Sequence, residues 1–304
     1  MEDARPSRHD RIMRCLTDTT EWPLRERVSW RTGSTGMGRT GSVSGAASIP
    51  LLGPGDPPPV AVLNAGAPSP FLLLGDHAGR AIPRALGDLG LTLAQLDLHI
   101  ACDIGVAGLG EQLAVLLDAC FIQQRYSRLM IDCNRKPGSA AAILAVSDGV
   151  AVPGNRDLSA EAAQARHDQI YQPYQDEIAR TLDARADRPT VLVALHSFTP
   201  AMQGQARPWR LGVLHRGDSP FSRAMLAVMR ADLGEAVGDN QPYEMDETDN
   251  TIPLHADARG LDYLELEVRQ DLLATAADQR TMAQWLAPRL AAALASEEIR
   301  RDGR

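Results

Sequence analysis

The stretch Val191-Leu-Val-Ala-Leu-His196-Ser197-Phe198 is the basis for interpreting the rest of the chain. Its five leading apolar residues predict a buried strand, with polar groups only at its end. In an open α/β sheet, ligands bind beyond the carboxyl ends of the strands. We therefore expect His196 to lie where chemistry can take place.

A second apolar run, Phe71-Leu-Leu-Leu-Gly-Asp76-His77-Ala-Gly79, also ends on a histidine before a turn. Two separate strands that each carry an imidazole to their carboxyl ends indicate a shared metal site. The alternative is a pair of unrelated loop histidines that are hydrogen-bonded to their surroundings. The spacing alone leaves both interpretations open.

From Pro70 onwards, predicted strands alternate with predicted helices, which is typical of a single α/β domain with a largely parallel or mixed sheet. Pro173 is expected to kink or divide a long polar helix. Residues 1–68 differ in composition, because they are rich in Gly, Ser, Thr and Pro, and we expect a flexible, low-order N-terminal extension. The predicted domain covers residues 69–298, and a short tail follows at 299–304.

The composition excludes several classes of protein. A net charge of −8 and an aromatic content of 4% argue against a nucleic-acid-binding protein. No apolar run is long enough to cross a bilayer, and the N-terminus lacks the apolar region of a signal peptide. The four cysteines form no CxxC pair, which favours buried thiols over a disulfide framework or a thiolate zinc site. We expect a cytoplasmic protein with no membrane or nucleic-acid partner, and the sequence leaves a homo-oligomer open.

The last predicted strand, Tyr263-Leu-Glu265-Leu-Glu267-Val-Arg269, alternates polar and apolar residues. Because successive side chains point to opposite faces of a strand, the two glutamates share a face with Tyr263 and Arg269. Within an α/β core, such a face is costly unless it lines a wet, charged cleft. The alternative is an edge strand with one solvated face.

The segment Arg125-Tyr-Ser-Arg128-Leu-Met-Ile-Asp132-Cys-Asn134-Arg135 places arginines on both sides of a predicted strand over Leu129–Cys133. Arginine supplies a planar fork that suits bidentate binding of a carboxylate. Asn134 offers a neutral donor for an oxyanion or amide. The alternative is that Arg128 and Asp132 form a structural ion pair.

These pieces fit one reaction type. Zinc hydrolases with an open site use three protein ligands drawn from His, Asp and Glu, and a further carboxylate activates the water and carries its proton to the leaving amine. His77 and His196 supply two ligands, and Glu267 is the candidate base. The third ligand should be a carboxylate near a turn or a helix N-terminus, and Asp103 fits that description.

Five segments carry a resemblance to a known family: His77-Ala-Gly79, Asp103-Ile-Gly105, Tyr126-Ser-Arg128-Leu-Met-Ile-Asp132-Cys-Asn134-Arg135, His196-Ser-Phe-Thr-Pro200 and Glu267-Val-Arg269-Gln-Asp271-Leu. With them the chain resembles the N-formylglutamate amidohydrolase family over roughly Pro70 to Ala295. The resemblance implies a three-layer α/β/α fold of the phosphorylase/hydrolase-like type, distantly related to zinc carboxypeptidases. It also implies a zinc-dependent hydrolase of linear amide C–N bonds, with one Zn²⁺ per chain and a role in amino-acid catabolism such as histidine degradation.

The resemblance supports His77 and His196 as zinc ligands and Glu267 as the general base. Asn134 and Arg135 match the positions that hold the α-carboxylate of the substrate in the carboxypeptidase-like relatives.

One position departs from those relatives, which usually carry an acid three residues after the first histidine. Here that position is Arg80, so the acidic ligand must come from elsewhere. We place Asp103 ahead of Asp76 and Asp97 for this role.

The expected substrate is a small N-acyl amino acid such as N-formylglutamate, which would yield formate and glutamate. Arg128 or Tyr243 would stabilise the tetrahedral oxyanion, and Arg207 or Arg80 would bind a side-chain carboxylate. One alternative is a zinc carboxypeptidase or peptidoglycan amidase that uses the same metal centre on peptides. Another is a non-catalytic binding module that retains the pocket.

Overall fold

Eight strands form one sheet in the computed structural model, which describes residues 30–32, 50–216 and 219–296. The order across the sheet is β1-β2-β4-β3-β5-β8-β6-β7. In chain order the strands are β1 (Trp30–Thr32), β2 (Val60–Leu63), β3 (Phe71–Gly75), β4 (Cys120–Gln124), β5 (Val191–Phe198), β6 (Leu211–Leu214), β7 (Val237–Asp239) and β8 (Asp262–Arg269).

The central strands run in one direction. Strands β4, β3, β5 and β8 are parallel neighbours, whereas β2 and β6 pair antiparallel with β4 and β8. This confirms the mixed, largely parallel sheet. Because β3, β5 and β8 end at the same edge, the residues that follow them are brought together there.

Helices cover both faces of the sheet, which confirms the three-layer α/β/α arrangement. Helices α2, α5 and α7 share one apolar core with the sheet, and α4 and α6 share the other. The helices are α1 (Leu93–Leu96), α2 (Val106–Leu116), α3 (Ala160–Arg166), α4 (Gln172–Asp183), α5 (Pro220–Leu233), α6 (Thr251–His255) and α7 (Ala276–Leu294). None of the helices in these described parts is both long and apolar enough to cross a membrane.

Strand β5 is apolar on both faces because each face has its own core. Val193 and Leu195 face the layer of α2, α5 and α7, while Leu192 and Ala194 face the layer of α4 and α6. A strand buried on both faces is expected to be a continuous apolar run. The observed strand continues through His196 to Phe198, so that the histidine lies within the strand itself.

Strand β8 carries a polar face in the interior of the sheet. Leu264, Leu266 and Val268 point into one apolar core, and Glu265 and Glu267 are buried on the opposite face. Since β8 lies between β5 and β6, the interpretation of this segment as an edge strand is wrong.

Two local predictions have different outcomes. The long polar helix is divided as expected, because a π-helical turn at His167–Tyr171 separates α3 from α4, and Pro173 lies in the first turn of α4. The strand predicted over Leu129–Cys133 is absent, and the residues form turns instead. All five are buried and four of them are apolar, but their backbone forms turns, and the N–H of the preceding Arg128 donates to the carbonyl oxygen of Ala101.

The sheet begins before residue 69, where we expected the domain to start. Strand β2 is buried and pairs with β4, although it lies within the segment 1–68 that was predicted to be a low-order extension. The apolar run Val60-Ala-Val-Leu63 is the sequence signal for this strand. It is short and follows three prolines, which are typical of an extension without regular structure. Most of the remaining extension and the tail at 299–304 lie outside the described residues.

The turn after β3 requires a residue without a side chain. A Cβ atom on Gly79 would overlap the backbone carbonyl group of Arg125, which cannot move without disturbing the chain after β4. We expect Gly79→Ala to lower the free energy of unfolding by about 2 kcal/mol or more, as overpacking does. Gly53→Ala is the matched control, because its Cβ would meet nothing closer than 4.0 Å. Equal denaturation midpoints for the two variants would contradict this reading of the turn.

Candidate active site

The two predicted histidines lie together at the carboxyl edge of the sheet. Strands β3 and β5 are parallel neighbours, so His77, just beyond β3, approaches His196 near the end of β5. Their ring centroids are 5.0 Å apart, and both side chains are buried. The contact between residues 119 positions apart in the chain (77 and 196) follows from the strand pairing.

Asp103 lies between the two imidazoles. Its Oδ2 atom is 3.0 Å from His196 Nδ1 and 3.4 Å from His77 Nδ1. The Asp103 N–H donates to the carbonyl oxygen of His77 at 2.9 Å, and α2 begins three residues later, which gives the position near a helix N-terminus that was expected. Gly105, the residue immediately before α2, has a φ of 80°, a left-handed conformation that glycine adopts without strain.

The three side chains have the composition and spacing of a metal site. One ligand atom from each of His77, Asp103 and His196 lies within 4.8 Å of the others. His77 Nδ1 is buried and makes no hydrogen bond within the described chain, although it points at the cluster. Two imidazoles and one carboxylate are the donor set of open zinc sites in hydrolases, so the residues fit the ion that the family implies.

Two further aspartates lie on the Nε2 side of the histidine rings. Asp132 Oδ1 is 2.7 Å from His77 Nε2, and Asp76 Oδ2 is 3.4 Å from His196 Nε2. The Asp132 contact is a hydrogen bond, whereas Asp76 only lies close to the His196 ring, and in both rings the Nδ1 atom is the one nearest to Asp103. Such carboxylates hold a metal-binding imidazole in one orientation and tautomer. The sequence patterns indicated Asp76 only as an alternative ligand and Asp132 only as an ion-pair partner.

Arg128 joins the two acidic residues around His77. Its Nη1 donates to Asp103 Oδ1 at 3.1 Å and its Nη2 to Asp132 Oδ2 at 2.6 Å. Burial alone would raise the pKa of Asp103, but the neighbouring His77, His196 and Arg128 hold that pKa well below its ordinary value. The ion pair with Asp132 that was the structural alternative is therefore present, and 28% of the Arg128 side chain remains exposed.

Glu267 lies beside the cluster. It pairs in register with His196 across β5 and β8, so that both side chains point to the same face of the sheet. Its Oε2 atom has no hydrogen-bond partner among the described residues. Burial raises the pKa of Glu267 to about 7, which suits a group that must accept and return a proton near neutral pH.

Glu265 is a second buried carboxyl group on this face. Burial raises its pKa to about 8, so it is largely protonated at neutral pH. The alternation of polar and apolar residues predicted that Glu265 lies on the same face as Glu267. It did not predict that the two carboxyl groups differ in pKa.

Asn134 and Arg135 both contact the segment before α6. The Asn134 Oδ1 atom accepts from the backbone N–H groups of Asn250 and Thr251 at 3.1 and 2.8 Å. Arg135 Nη1 donates to Asp249 Oδ1 at 2.8 Å and keeps part of its side chain exposed. Asn134 therefore fixes the backbone at the start of α6, and Arg135 provides a partly exposed positive charge beside it.

Arg207 and Tyr243 form one contact on another side of the cleft. The Arg207 guanidinium lies 4.7 Å from the centre of the Tyr243 ring and 5.8 Å from that of Phe198, two residues after His196. Burial and then the nearby Glu267 raise the pKa of Tyr243, although 40% of the residue is exposed. The structure therefore brings both residues to the Glu267 side of the cluster.

Two of the sequence candidates lie elsewhere. Arg80 Nη1 donates to Asp97 Oδ1 at 3.0 Å in an exposed ion pair. Asp97 is accordingly engaged at the surface, and it is not part of the histidine cluster that Asp103 completes.

The support of His77 by Asp132 can be measured through the affinity for metal. We expect Asp132→Asn to weaken Zn²⁺ binding by about 10–100-fold, because the imidazole loses the carboxylate that orients it. Competition with a chromophoric chelator measures this without any assay of activity. Asp97→Asn, which removes an exposed partner of Arg80, is the control and should bind Zn²⁺ as the wild type does. Unchanged affinity in Asp132→Asn would contradict the arrangement.

Comparisons with known proteins identify the family of the chain. The sequence profile of the N-formylglutamate amidohydrolase family matches residues 69–274. A solved gene product of Agrobacterium tumefaciens is similar at 35% identity and a TM-score of 0.78, over 82% of this chain and 99% of that one. The N-formylglutamate amidohydrolase of Ralstonia eutropha is similar in fold at 18% identity and a TM-score of 0.58, over 77% and 98% of the two chains. No protein with a curated function matches the chain.

The fold and the family match define an enzyme that hydrolyses amide bonds. The chain belongs to the N-formylglutamate amidohydrolase family, as the motifs in its sequence indicated.

Proposed function

We propose that this amidohydrolase cleaves the amide bond of an N-acyl amino acid, with N-formylglutamate as the model substrate and formate and glutamate as products. The proposal includes a Zn²⁺ ion held by His77, Asp103 and His196, one per chain. The observation that carries it is the position of Glu267, a buried carboxyl group whose Oε2 atom has no hydrogen-bond partner among the described residues, next to His196 on the same face of the sheet.

In this proposal the metal ion and the protein side chains have different roles. Held by His77, Asp103 and His196, a zinc ion would supply Lewis acidity for the amide carbonyl and for water. His77 and His196 would bind the ion through their Nδ1 atoms, with Asp132 hydrogen-bonded to the far side of the His77 ring and the Asp76 carboxylate close to the far side of the His196 ring. Arg128 holds the carboxylates of Asp103 and Asp132 in place.

Glu267 acts as the general base and then as the general acid. In its ionised form it takes a proton from the attacking water, and it later delivers that proton to the leaving nitrogen. A pKa of about 7 lets the carboxyl group do both near neutral pH. A module that only binds a ligand has no need of a buried carboxyl group with an unsatisfied oxygen atom at this position, which argues for catalysis.

Arginines on two sides suit an acidic substrate. Arg135, positioned by Asp249 and with Asn134 shaping the adjacent backbone, binds the α-carboxylate. Arg207, stacked on Tyr243, binds a carboxylate on the side chain. The exposed part of Arg128 or the hydroxyl of Tyr243 stabilises the oxyanion.

A panel of substrates tests the reaction. We expect the zinc-loaded enzyme to hydrolyse N-formylglutamate faster than N-acetyl- or N-succinylglutamate, and a chelator should abolish the activity. Release of the free amino acid is the measurement. Preferential cleavage of peptides or of muramoyl peptides would instead support a carboxypeptidase-like or peptidoglycan amidase activity, and no hydrolysis of any member would support a binding module.

Replacement of the base separates its role from that of the metal ligands. We expect Glu267→Gln to reduce kcat by roughly 10²–10⁴-fold with zinc retained, the usual effect of losing a general acid–base group. Glu265→Gln is the matched control, because glutamine resembles the protonated form that the raised pKa of Glu265 favours. If Glu267→Gln turned over substrate at the wild-type rate, Glu267 would have no catalytic role.

Arg207 offers a test of substrate choice. We expect Arg207→Gln to lower kcat/KM for N-formylglutamate by about tenfold or more, since a charge-assisted hydrogen bond is lost. Hydrolysis of N-formylmethionine, which lacks a side-chain carboxylate, is the internal control and should change little. An equal loss for both substrates would assign Arg207 to the structure of the cleft and not to specificity.

A further inference from the structure

A cavity at the opposite edge of the sheet from the histidines is lined by three arginines. It has a volume of about 280 Å³ and lies between the loop after β2, the first residue of β4 and the end of α4. The arginines are Arg180, Arg185 and Arg188. Since β5 rises about 3.3 Å per residue, the cavity at its start is on the order of 17 Å from His196 and separate from the active site.

Arg185 is buried without a counter-ion. Only 2% of the residue is exposed, and its hydrogen bonds go to neutral oxygen atoms. Nε donates to Thr190 Oγ1 at 3.1 Å, and Nη2 donates to the carbonyl oxygen of Ser69 at 2.6 Å. Within the described residues no carboxylate forms an ion pair with it. A buried charge is normally paired, so the positive charge of this guanidinium is left without compensation from the described residues.

A second guanidinium meets the first at one oxygen atom. Arg188 Nη1 donates to the carbonyl oxygen of Ala67 at 3.1 Å, and Arg185 Nη1 approaches the same oxygen at 3.5 Å. Burial, and then the repulsion of Arg188, lower the pKa of Arg185 to about 10. Two like charges therefore converge where the protein supplies only a neutral acceptor between them.

The other groups around the cavity do not balance these charges. Glu177 is paired with Arg180 on the same turn of α4. The thiol of Cys120, at the start of β4, is neutral, since burial raises its pKa to about 11. The cavity thus has an excess of two positive charges in a chain whose net charge is −8.

We propose that this cavity binds a small oxyanion, phosphate or the phosphate group of a small metabolite, between Arg185 and Arg188. Planar guanidinium forks match the oxygen atoms of such a group and form charge-assisted hydrogen bonds with them. The anion neutralises the two converging charges. Ala65 and Gly66 line one side of the cavity, and a Cβ atom on Gly66 would meet nothing within 4 Å, which leaves room for a substituent on the phosphate.

Binding to the full-length protein tests the proposal. Isothermal titration with inorganic phosphate, and separately with glycerol phosphate, is performed at constant ionic strength set by sodium chloride. We expect saturable binding of one anion per chain and a melting temperature that rises with its concentration, as mass action requires. Tighter binding of glycerol phosphate would identify a phosphorylated metabolite as the ligand, and equal binding would identify free phosphate.

Three variants locate the site. Arg188→Gln should weaken binding by about tenfold or more, because Arg188 makes a single protein hydrogen bond and its charge is lost. Glu177→Gln removes the carboxylate from the lining and frees Arg180, so binding should become several-fold tighter. Arg280→Gln, which removes an exposed arginine from α7, is the control for net charge and should bind as the wild type does.

Both cavity variants should hydrolyse substrate at the wild-type rate, since neither residue contacts the histidine cluster. The proposal is overturned if the wild type shows no saturable binding of either anion. It is equally overturned if Arg188→Gln binds as tightly as the wild type, or if Arg280→Gln loses as much affinity as Arg188→Gln does. Arg185 itself is left unchanged, because it also ties together the segments that lead into β3 and β5.

Discussion

The parallel pairing of β3, β5 and β8 is the constraint on which the active site depends. Register places Leu74 of β3 beside Ala194 of β5, and Glu267 of β8 beside His196. Given that alignment, the turn after β3 needs only two residues to bring His77 to the same place. Side chains that are far apart in the sequence then meet without any long loop, and the apolar cores on both faces hold the strands in position.

Charge pairing separates the roles of the acidic side chains. Asp76, Asp103 and Asp132 are each close to an imidazole, and two of them also contact Arg128, so the pKa of each carboxyl is held down despite burial. Glu265 and Glu267 form no ion pair within the described chain, and burial raises their pKa values. Acidic groups of the same chemical type, a few ångströms apart, are thus divided into permanent anions and groups that can carry a proton.

Much of this site could be predicted from local sequence patterns. His77 and His196 each follow an apolar run, and the alternation in β8 places Glu267 on a polar face. Asp103 was selected because it precedes a helix. These are short-range signals, since they depend on the period of a strand or on the start of a helix.

The rest depends on contacts that no local pattern reports. The pairing of Asp132 with His77 joins residues 55 positions apart, and it requires the chain after β4 to form turns where a strand was expected. Strand β2 was missed because proline-rich sequence surrounds an apolar run of only four residues. The burial of Arg185 has no local sequence signal either, because an arginine near the end of a helix is typical of a solvent-exposed position.

The alternating faces of β8 also bear on how faithfully the sheet assembles. A slip of one residue against β5 would turn Glu265 and Glu267 into the apolar layer of α2, α5 and α7 and expose three aliphatic side chains to the polar cleft. Two carboxyl groups in a hydrocarbon environment would make that misaligned sheet far less stable. The two buried glutamates thereby also favour the correct alignment of β8 against β5.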